Sequence, residues 1–344
     1  MIRKLFAAGI LATVMTTALG VSTPQAQGMK YPAGKQVTMY VATKPGGTAD
    51  STMRFIARHI SKFLPGNPTV VPKNLPGAGS RKLAEYLYTH AAKDGTEFGL
   101  LLRPIATDPL FKNRANTTFD IQKLTWLGSP SPVTDVCGFW HNQPIQSFDT
   151  LQTKELIIPG ISTESGEAVQ ANILRRLTGA KIRVVAGYQS GGAMTLAMER
   201  GEAAGRCAIS WEAIKSKYRD FITKKQFKPF MQFSLKRHVD LPQVPSIMEL
   251  VKTDLDRRAL QVILAPQSFG FPFAAPPGLS KETTAILRNA LKSVMTNASF
   301  LAEAKRRKFD IDFVPGTKLL SVLKTVYSYP PAVIDRAKAL VANK

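Results

Sequence analysis

Several residue types and motifs that support catalysis are scarce or missing. The 344-residue sequence has four histidines, His59, His90, His141 and His238, and two cysteines, Cys137 and Cys207. No H-E-x-x-H pair and no G-x-S-x-G elbow occurs, so the motifs of a zinc or serine hydrolase are absent. No histidine stands at ligand spacing to either cysteine, which argues against a metal site. The dinucleotide pattern G-x-G-x-x-G and the P-loop are also missing, and no cofactor is expected. An exported hydrolase is therefore the weakest functional reading.

Acidic residues are scarce too. Asp and Glu number 24 against 46 Lys and Arg, a formal charge of +22. Such an excess favours anionic partners. The basic residues are scattered, and the densest runs are only Lys215-Ser216-Lys217-Tyr218-Arg219, Lys224-Lys225 and Lys305-Arg306-Arg307-Lys308. With no basic tail, zinc-finger spacing or RNP-like aromatic motif, nucleic-acid binding is not expected. A basic exterior that draws in anionic solutes, or a merely solvated basic surface, accounts for the charge.

Long apolar runs are confined to the N-terminus. Arg3 and Lys4 precede an apolar segment over residues 5–18, too short to span a bilayer well. Small and polar residues follow to Gln27. Residues 1–27 thus read as a signal peptide, with cleavage near Ala26 although Pro24 sits at the minus-three position. No cysteine near this region would carry a lipid anchor. The remainder reads as an exported chain, which in a bacterium means the periplasm. In that oxidising compartment, Cys137 and Cys207 invite a disulfide, and two separate buried thiols are the alternative.

Among what is present, residues 37–60 organise the rest. Val37-Thr38-Met39-Tyr40-Val41-Ala42 is apolar with little alternation, as in a strand covered on both faces. Met53, Ile56, Ile60 and Phe63 recur at helical spacing. Between them lies Thr43-Lys44-Pro45-Gly46-Gly47-Thr48-Ala49-Asp50. Gly46 and Gly47 permit a sharp turn, and Thr48 is placed to cap the helix. Free N–H groups and the helix dipole at such a junction favour an anion. Thr43, Lys44, Gly46, Gly47 and Thr48 are candidate ligand contacts. Asp50 reads as a residue that fixes the loop, or as a partner for a ligand hydroxyl or amine. An ordinary strand-to-helix turn would look the same locally.

This stretch is similar to the first strand and Pro-x-x-Gly-Gly-x-x-Asp loop of the solute receptors of tripartite tricarboxylate transporters, the Bug family. Two more family signatures follow in order, Asn74-Leu75-Pro76-Gly77-Ala78-Gly79 and Asp94-Gly95-Thr96. The resemblance continues through Pro242-Gln243-Val244-Pro245-Ser246 and Pro276-Pro277-Gly278 toward the C-terminus. It implies an α/β fold of two lobes, a clamshell, each lobe a mostly parallel sheet flanked by helices. It also implies a monomer that takes an organic anion, usually a carboxylate, and delivers it to membrane transporter subunits. Presentation of the ligand to a membrane sensor kinase is the alternative role.

Read in order, the chain expects strands at 69–71 and 98–102 with a helix over 80–92 between them. Alternating strands and helices build a parallel sheet whose ligand site lies at the carboxyl ends of the strands. That rule adds Arg103, whose guanidinium fits a carboxylate bidentately, and makes Gly77 and Gly79 candidates for close backbone approach. Residues 129–132 are expected to form a hinge crossing. Residues 28–130 and 262–344 are expected to make one discontinuous domain, and 131–261 an inserted second one.

In the second domain a strand at 155–160 leads into Ser162-Thr163-Glu164-Ser165 and a helix. Another strand at 182–185 leads into Gly187-Tyr188-Gln189-Ser190-Gly191-Gly192 and a helix. Ser162, Thr163, Ser165, Gln189, Ser190, Gly191 and Gly192 are the candidate contacts of this half. The wording departs from the family's glycine-rich and Pro-Tyr-Lys-Gly-Gly-Ala loops, so the chain looks like a divergent branch, one in which Gly205-Arg206-Cys207 also recurs. Trp211 is expected to end a strand, where it either stacks on the ligand or serves as a structural indole. Residues 261–273 are read as strand-like.

Overall fold

A computed structural model describes Tyr31, residues 33–111 and residues 118–342. The expected signal peptide lies outside the described residues. The first part of the chain runs β1 (Val37–Val41), α1 (Thr48–Ile60), β2 (Val70–Asn74), α2 (Arg81–Thr89), β3 (Glu97–Leu100), α3 (Asp108–Phe111) and β4 (Thr125–Ser129). The middle part runs β5 (Asp135–Trp140), β6 (Leu156–Gly160), α4 (Gly166–Thr178), β7 (Ile182–Ala186), α5 (Gly191–Glu199), β8 (Gly205–Ser210), α6 (Trp211–Ser216), α7 (Asp220–Thr223) and β9 (Phe227–Phe233). The chain then returns as α8 (Asp254–Phe269), β10 (Phe273–Ala275), α9 (Lys281–Thr296), α10 (Ala298–Arg306), β11 (Val314–Pro315), α11 (Gly316–Tyr327) and α12 (Pro331–Val341).

One lobe is built on a six-stranded sheet, ordered β11-β4-β10-β3-β1-β2. All five residues of β1 are buried, as the unalternating run predicts. β1 pairs in parallel with β2 and with β3, while β10 enters antiparallel between β3 and β4. Helix α1 lays Met53, Ile56 and Ile60 on this sheet, and α9 adds Leu287, Leu291 and Val294. Each such side chain, fully buried, contributes about 1.5–3 kcal/mol.

The second lobe holds the antiparallel sheet β8-β5-β9 and the parallel pair β6-β7. The α/β, two-lobed class is as expected. Among the described residues the strands pair in parallel in β2-β1-β3 and β6-β7, with an isolated parallel bridge between Gln232 and Ser246, and the other strand pairs are antiparallel. Cys137 on β5 and Cys207 on β8 form a disulfide across neighbouring strands.

The run at 261–273 is largely helical, not a strand. Thr253 caps α8, its hydroxyl accepting from the Asp256 N–H at 3.1 Å, with Asp254 and Asp256 in the first turn. The β-branched run Val262-Ile263 resembles a strand locally, but Leu260, Leu264 and Ala265 bury one helical face. The expected boundary at 261/262 therefore falls inside α8. Gly270 and Phe271 follow α8 and lead into β10. Helix α12, expected to belong to the first domain, packs Val333, Ala337 and Leu340 into the same core as Leu174 of α4 and Met231 of β9.

Candidate functional site

The loop after β1 is fixed by one buried carboxylate. Asp50 Oδ2 accepts the Gly46 N–H at 2.9 Å, and Oδ1 accepts from Arg54 Nε at 2.9 Å and from Asn74 Nδ2 at 2.8 Å. Asn74 Nδ2 also donates to the Thr43 carbonyl at 2.9 Å. The first two sequence signatures thus meet through Asp50 and Asn74. Burial alone would raise the Asp50 pKa, but the hydrogen bonds from Gly46, Asn74 and Arg54 outweigh it and hold it below the usual carboxylate range. The loop-fixing reading of Asp50 accords with these contacts.

Thr48 does not cap α1. Gly47 is the N-cap, without a side-chain cap, and Thr48 is the first helical residue. Lys44, Gly46, Gly47 and Thr48 are exposed at the sheet's carboxyl end. The Thr43 hydroxyl is buried with no hydrogen-bond partner. In the second signature, the backbone turns through positive φ at Gly77, Ala78, Gly79 and Ser80 (153°, 45°, 62° and 86°). Two of these are not glycine, a strained arrangement of the kind found at functional loops. The buried Ser80 hydroxyl accepts the Leu102 N–H at 2.9 Å and ties this loop to the residue before Arg103.

A cavity of about 470 Å³ opens between the lobes. Thr48, Leu102, Arg103 and Pro104 line it from one side, and Ser210, Glu212, Ser216 and Lys217 from the other. Ser131, Val133, Gly270 and Phe271, where the chain crosses, and Lys308, Phe309 and Asp310 complete it. Of the expected contacts, Thr48 and Arg103 meet there. Arg103 is not free: its Nη2 donates to Asp135 at 3.0 and 3.2 Å. Lys215 Nζ bridges Asp240 at 2.8 Å and Asp310 at 2.5 Å, a second ion pair between the lobes.

Trp211 is turned away from this cavity. It is buried, donates Nε1 to Asp240 Oδ2 at 3.0 Å, and packs with Val136, Met198 and Ile214. It lines a different hollow of about 500 Å³, with Ile222 and Phe227. Its burial and its bond to Asp240 are those of a structural indole.

The second-lobe loops stand at the amino ends of α4 and α5. Ser165 is the N-cap of α4, its hydroxyl donating to the Ser162 carbonyl at 2.8 Å, and Thr163 is exposed between them. Ser190 caps α5 by accepting the Ala193 N–H at 3.2 Å. Gln189 and Gly192 are exposed, and Gly191 is half-buried.

Glu212, Lys217, Lys308 and Asp310 were absent from the sequence-derived set. Lys308 ends a basic run that reads equally as an anion-attracting exterior or a solvated surface, and Glu212 has no motif around it. Glu212 Oε1 accepts the Thr134 N–H at 3.3 Å, while Oε2 is buried without a partner. Burial pushes its carboxyl up to about 7, and the nearby Asp135 charge adds to the rise.

No protein-family model matches the sequence, and no curated protein matches it. Solved structures do resemble the fold. A TctC solute binding protein from Polaromonas, without ligand, aligns with a TM-score of 0.68 at 17% identity over 89% of this chain and 99% of that one. The periplasmic binding protein BugD aligns at 0.59 and 18% identity over 89% and 98%. MatC from Rhodopseudomonas palustris with bound malate aligns at 0.56 and 16% identity over 90% and 99%. This chain has the two-lobed fold of the TctC and Bug periplasmic binding proteins.

Proposed function

We propose that this protein is a periplasmic solute receptor of the tripartite tricarboxylate transporter type, which captures an organic carboxylate between its lobes and delivers it to a membrane transporter. The interlobe cavity carries the reading. It lies at the carboxyl end of the parallel strands β1 and β3, beside the amino end of α1 and the loop that Asp50 fixes. Lys217 and Lys308 bring positive charge to it, beside the carboxyls of Glu212 and Asp310. A concave site with a few convergent polar groups suits a small ligand. A relative in fold, MatC, is a malate complex.

In this reading Thr43, Lys44, Gly46, Gly47 and Thr48 receive one end of the ligand, with Gly77 and Gly79 keeping the neighbouring loop close. Ser162, Thr163, Ser165 and the stretch from Gln189 to Gly192 close from the other lobe. We place the division of the chain at its crossings, 129–133 and 269–271. The role is binding, not catalysis, and the N-terminal 27 residues are read as the export signal.

A thermal-shift panel of citrate, malate, succinate, glutamate, adipate and benzoate tests the reading. A ligand at about 100 times its Kd should stabilise the protein by about 2.7 kcal/mol. A selective rise with one carboxylate class is the expected result. A flat response across the panel, in protein refolded to remove any retained ligand, would overturn it.

A further inference from the structure

We propose that the hollow on the outer side of α6 is a second ligand site, one that takes a monoanion with an apolar body, an aryl or medium-chain carboxylate or sulfonate. The inference does not rest on the receptor reading. The hollow measures about 500 Å³, within the range of small-molecule sites. Trp211, Ile214, Phe227 and Leu241 give it an apolar floor, and Ile222 of α7 adds a wall that is 40% exposed. Helix α6 separates it from the interlobe cavity: Trp211 and Ile214 face the hollow, while Glu212, Ala213 and Ser216 face the cleft. Trp211 Nε1 is already bonded to Asp240 Oδ2, so the indole offers the hollow apolar surface and no donor. The Asp240 charge is met by Lys215 Nζ at 2.8 Å.

The rim carries one sign of charge. Lys225, Lys228 and His141 line it, and no acidic side chain does. Among the described residues neither lysine has a carboxylate partner. Lys228 Nζ donates to the Gln146 carbonyl at 3.0 Å, whereas the neighbouring Lys224 pairs with Asp220 at 2.8 Å. Lys225 also holds a φ of 51°, a conformation that a lysine adopts only at a cost and that recurs where a site requires it. An apolar floor with a cationic edge matches a ligand that is apolar at one end and anionic at the other. A second charge on the ligand would press against the floor and lose its water without a partner. The interlobe cavity differs in kind, since Lys217 and Lys308 there stand beside Glu212 and Asp310.

Titration of the purified protein with octanoate, by calorimetry, and with anilinonaphthalene sulfonate, by fluorescence, tests this. Octanoate should bind at about 1 mM or tighter, with suberate, which is doubly charged, and octanol, which is uncharged, each several-fold weaker. Lys225→Gln with Lys228→Gln should weaken octanoate about tenfold, a modest loss because exposed cations are screened, and should leave octanol unchanged. Ile222→Glu, which sets a carboxylate in the wall, should abolish binding of both anionic probes. Lys292→Gln on α9, in the other lobe, is the charge-matched control. All of these side chains are exposed, so the variants keep the fold. Octanoate affinity unchanged within about threefold in both the double lysine variant and Ile222→Glu would overturn the site, as would no binding of either probe up to about 10 mM. Loss of binding in Lys217→Gln but not in the double lysine variant would also overturn it, by placing the probe in the interlobe cavity. Capture on phosphatidylglycerol vesicles that the double variant abolishes, with no free octanoate bound, would overturn it in favour of an anionic membrane surface.

Discussion

Arg103 Nη2 holds both carboxylate oxygens of Asp135, at 3.2 Å from Oδ1 and 3.0 Å from Oδ2, and so joins the end of β3 to the start of β5. Asp135 is 4% exposed and also accepts from Gln267 Nε2 at 2.8 Å. The arginine that looked best placed for a ligand thus spends its charge on the opposite lobe. Its job in this arrangement is to hold the lobes together over the crossing.

Removing Arg103 should therefore cost stability more than it costs recognition. Arg103→Gln leaves Asp135 buried and short of its cation. Breaking a buried pair costs about 3–5 kcal/mol, and the 27% exposure of the Arg103 side chain lowers the expectation to about 1–3 kcal/mol. Urea unfolding of the variant against wild type reads this directly. Arg103→Gln together with Asp135→Asn should regain part of the loss, since no charge is then left unpaired. A double variant no better than the single one would show that the pair is not the source.

Glu212 sets a pH dependence of opposite sign to that of an ordinary carboxylate. Its folded pKa is raised to about 7 by burial, from an ordinary value of 4.5. Between those two values the folded protein keeps a proton that the unfolded chain gives up. Stability from this group is then fully present below about pH 4.5 and is lost as pH rises toward 7, by up to about 3 kcal/mol. Glu212→Gln removes the titration. Thermal midpoints from pH 5 to 8 should fall more steeply in wild type than in the variant, with the variant ahead at pH 8. Parallel profiles would mean that Glu212 ionises normally in the cleft.

The sequence carried the frame of this protein further than it carried the site. Loop and helix around Asp50 were legible because glycines, a first-turn acid and helical spacing coincide within a dozen residues. Their contact with Asn74 follows from β1 and β2 pairing Val41 with Asn74, which the sequence could not set. Local pattern failed at α8, where the cap at Thr253 lies eight residues before the run that looked like a strand. Trp211 begins a helix where a strand end was expected, so Glu212 and not the indole reaches the cavity. The pairing of Cys137 with Cys207 stayed open for want of strand register.

Gly270 marks where the lobes are free to move only as the crossings permit. Its φ is 52°, and an added Cβ would run into the Ser131 carbonyl oxygen of the other crossing. The two crossings are also bonded: the Phe271 N–H donates to Ser129 Oγ at 3.1 Å and the Val133 N–H to the Gln267 carbonyl at 2.9 Å. A side chain at residue 270 must therefore push the crossings apart as well as bear a positive-φ backbone, each costing about 1–3 kcal/mol. Gly270→Ala should lower stability by that order in a urea melt. It should also shift the lobes toward an open arrangement, which small-angle scattering reads as a larger radius of gyration without ligand. Asn, which tolerates the left-handed helical region, gains nothing at this residue's ψ of −97° and meets the same clash. If Gly270→Asn were as stable as wild type, contact with Ser131 would not be what holds the crossing, and the hydrogen bonds alone would have to account for it.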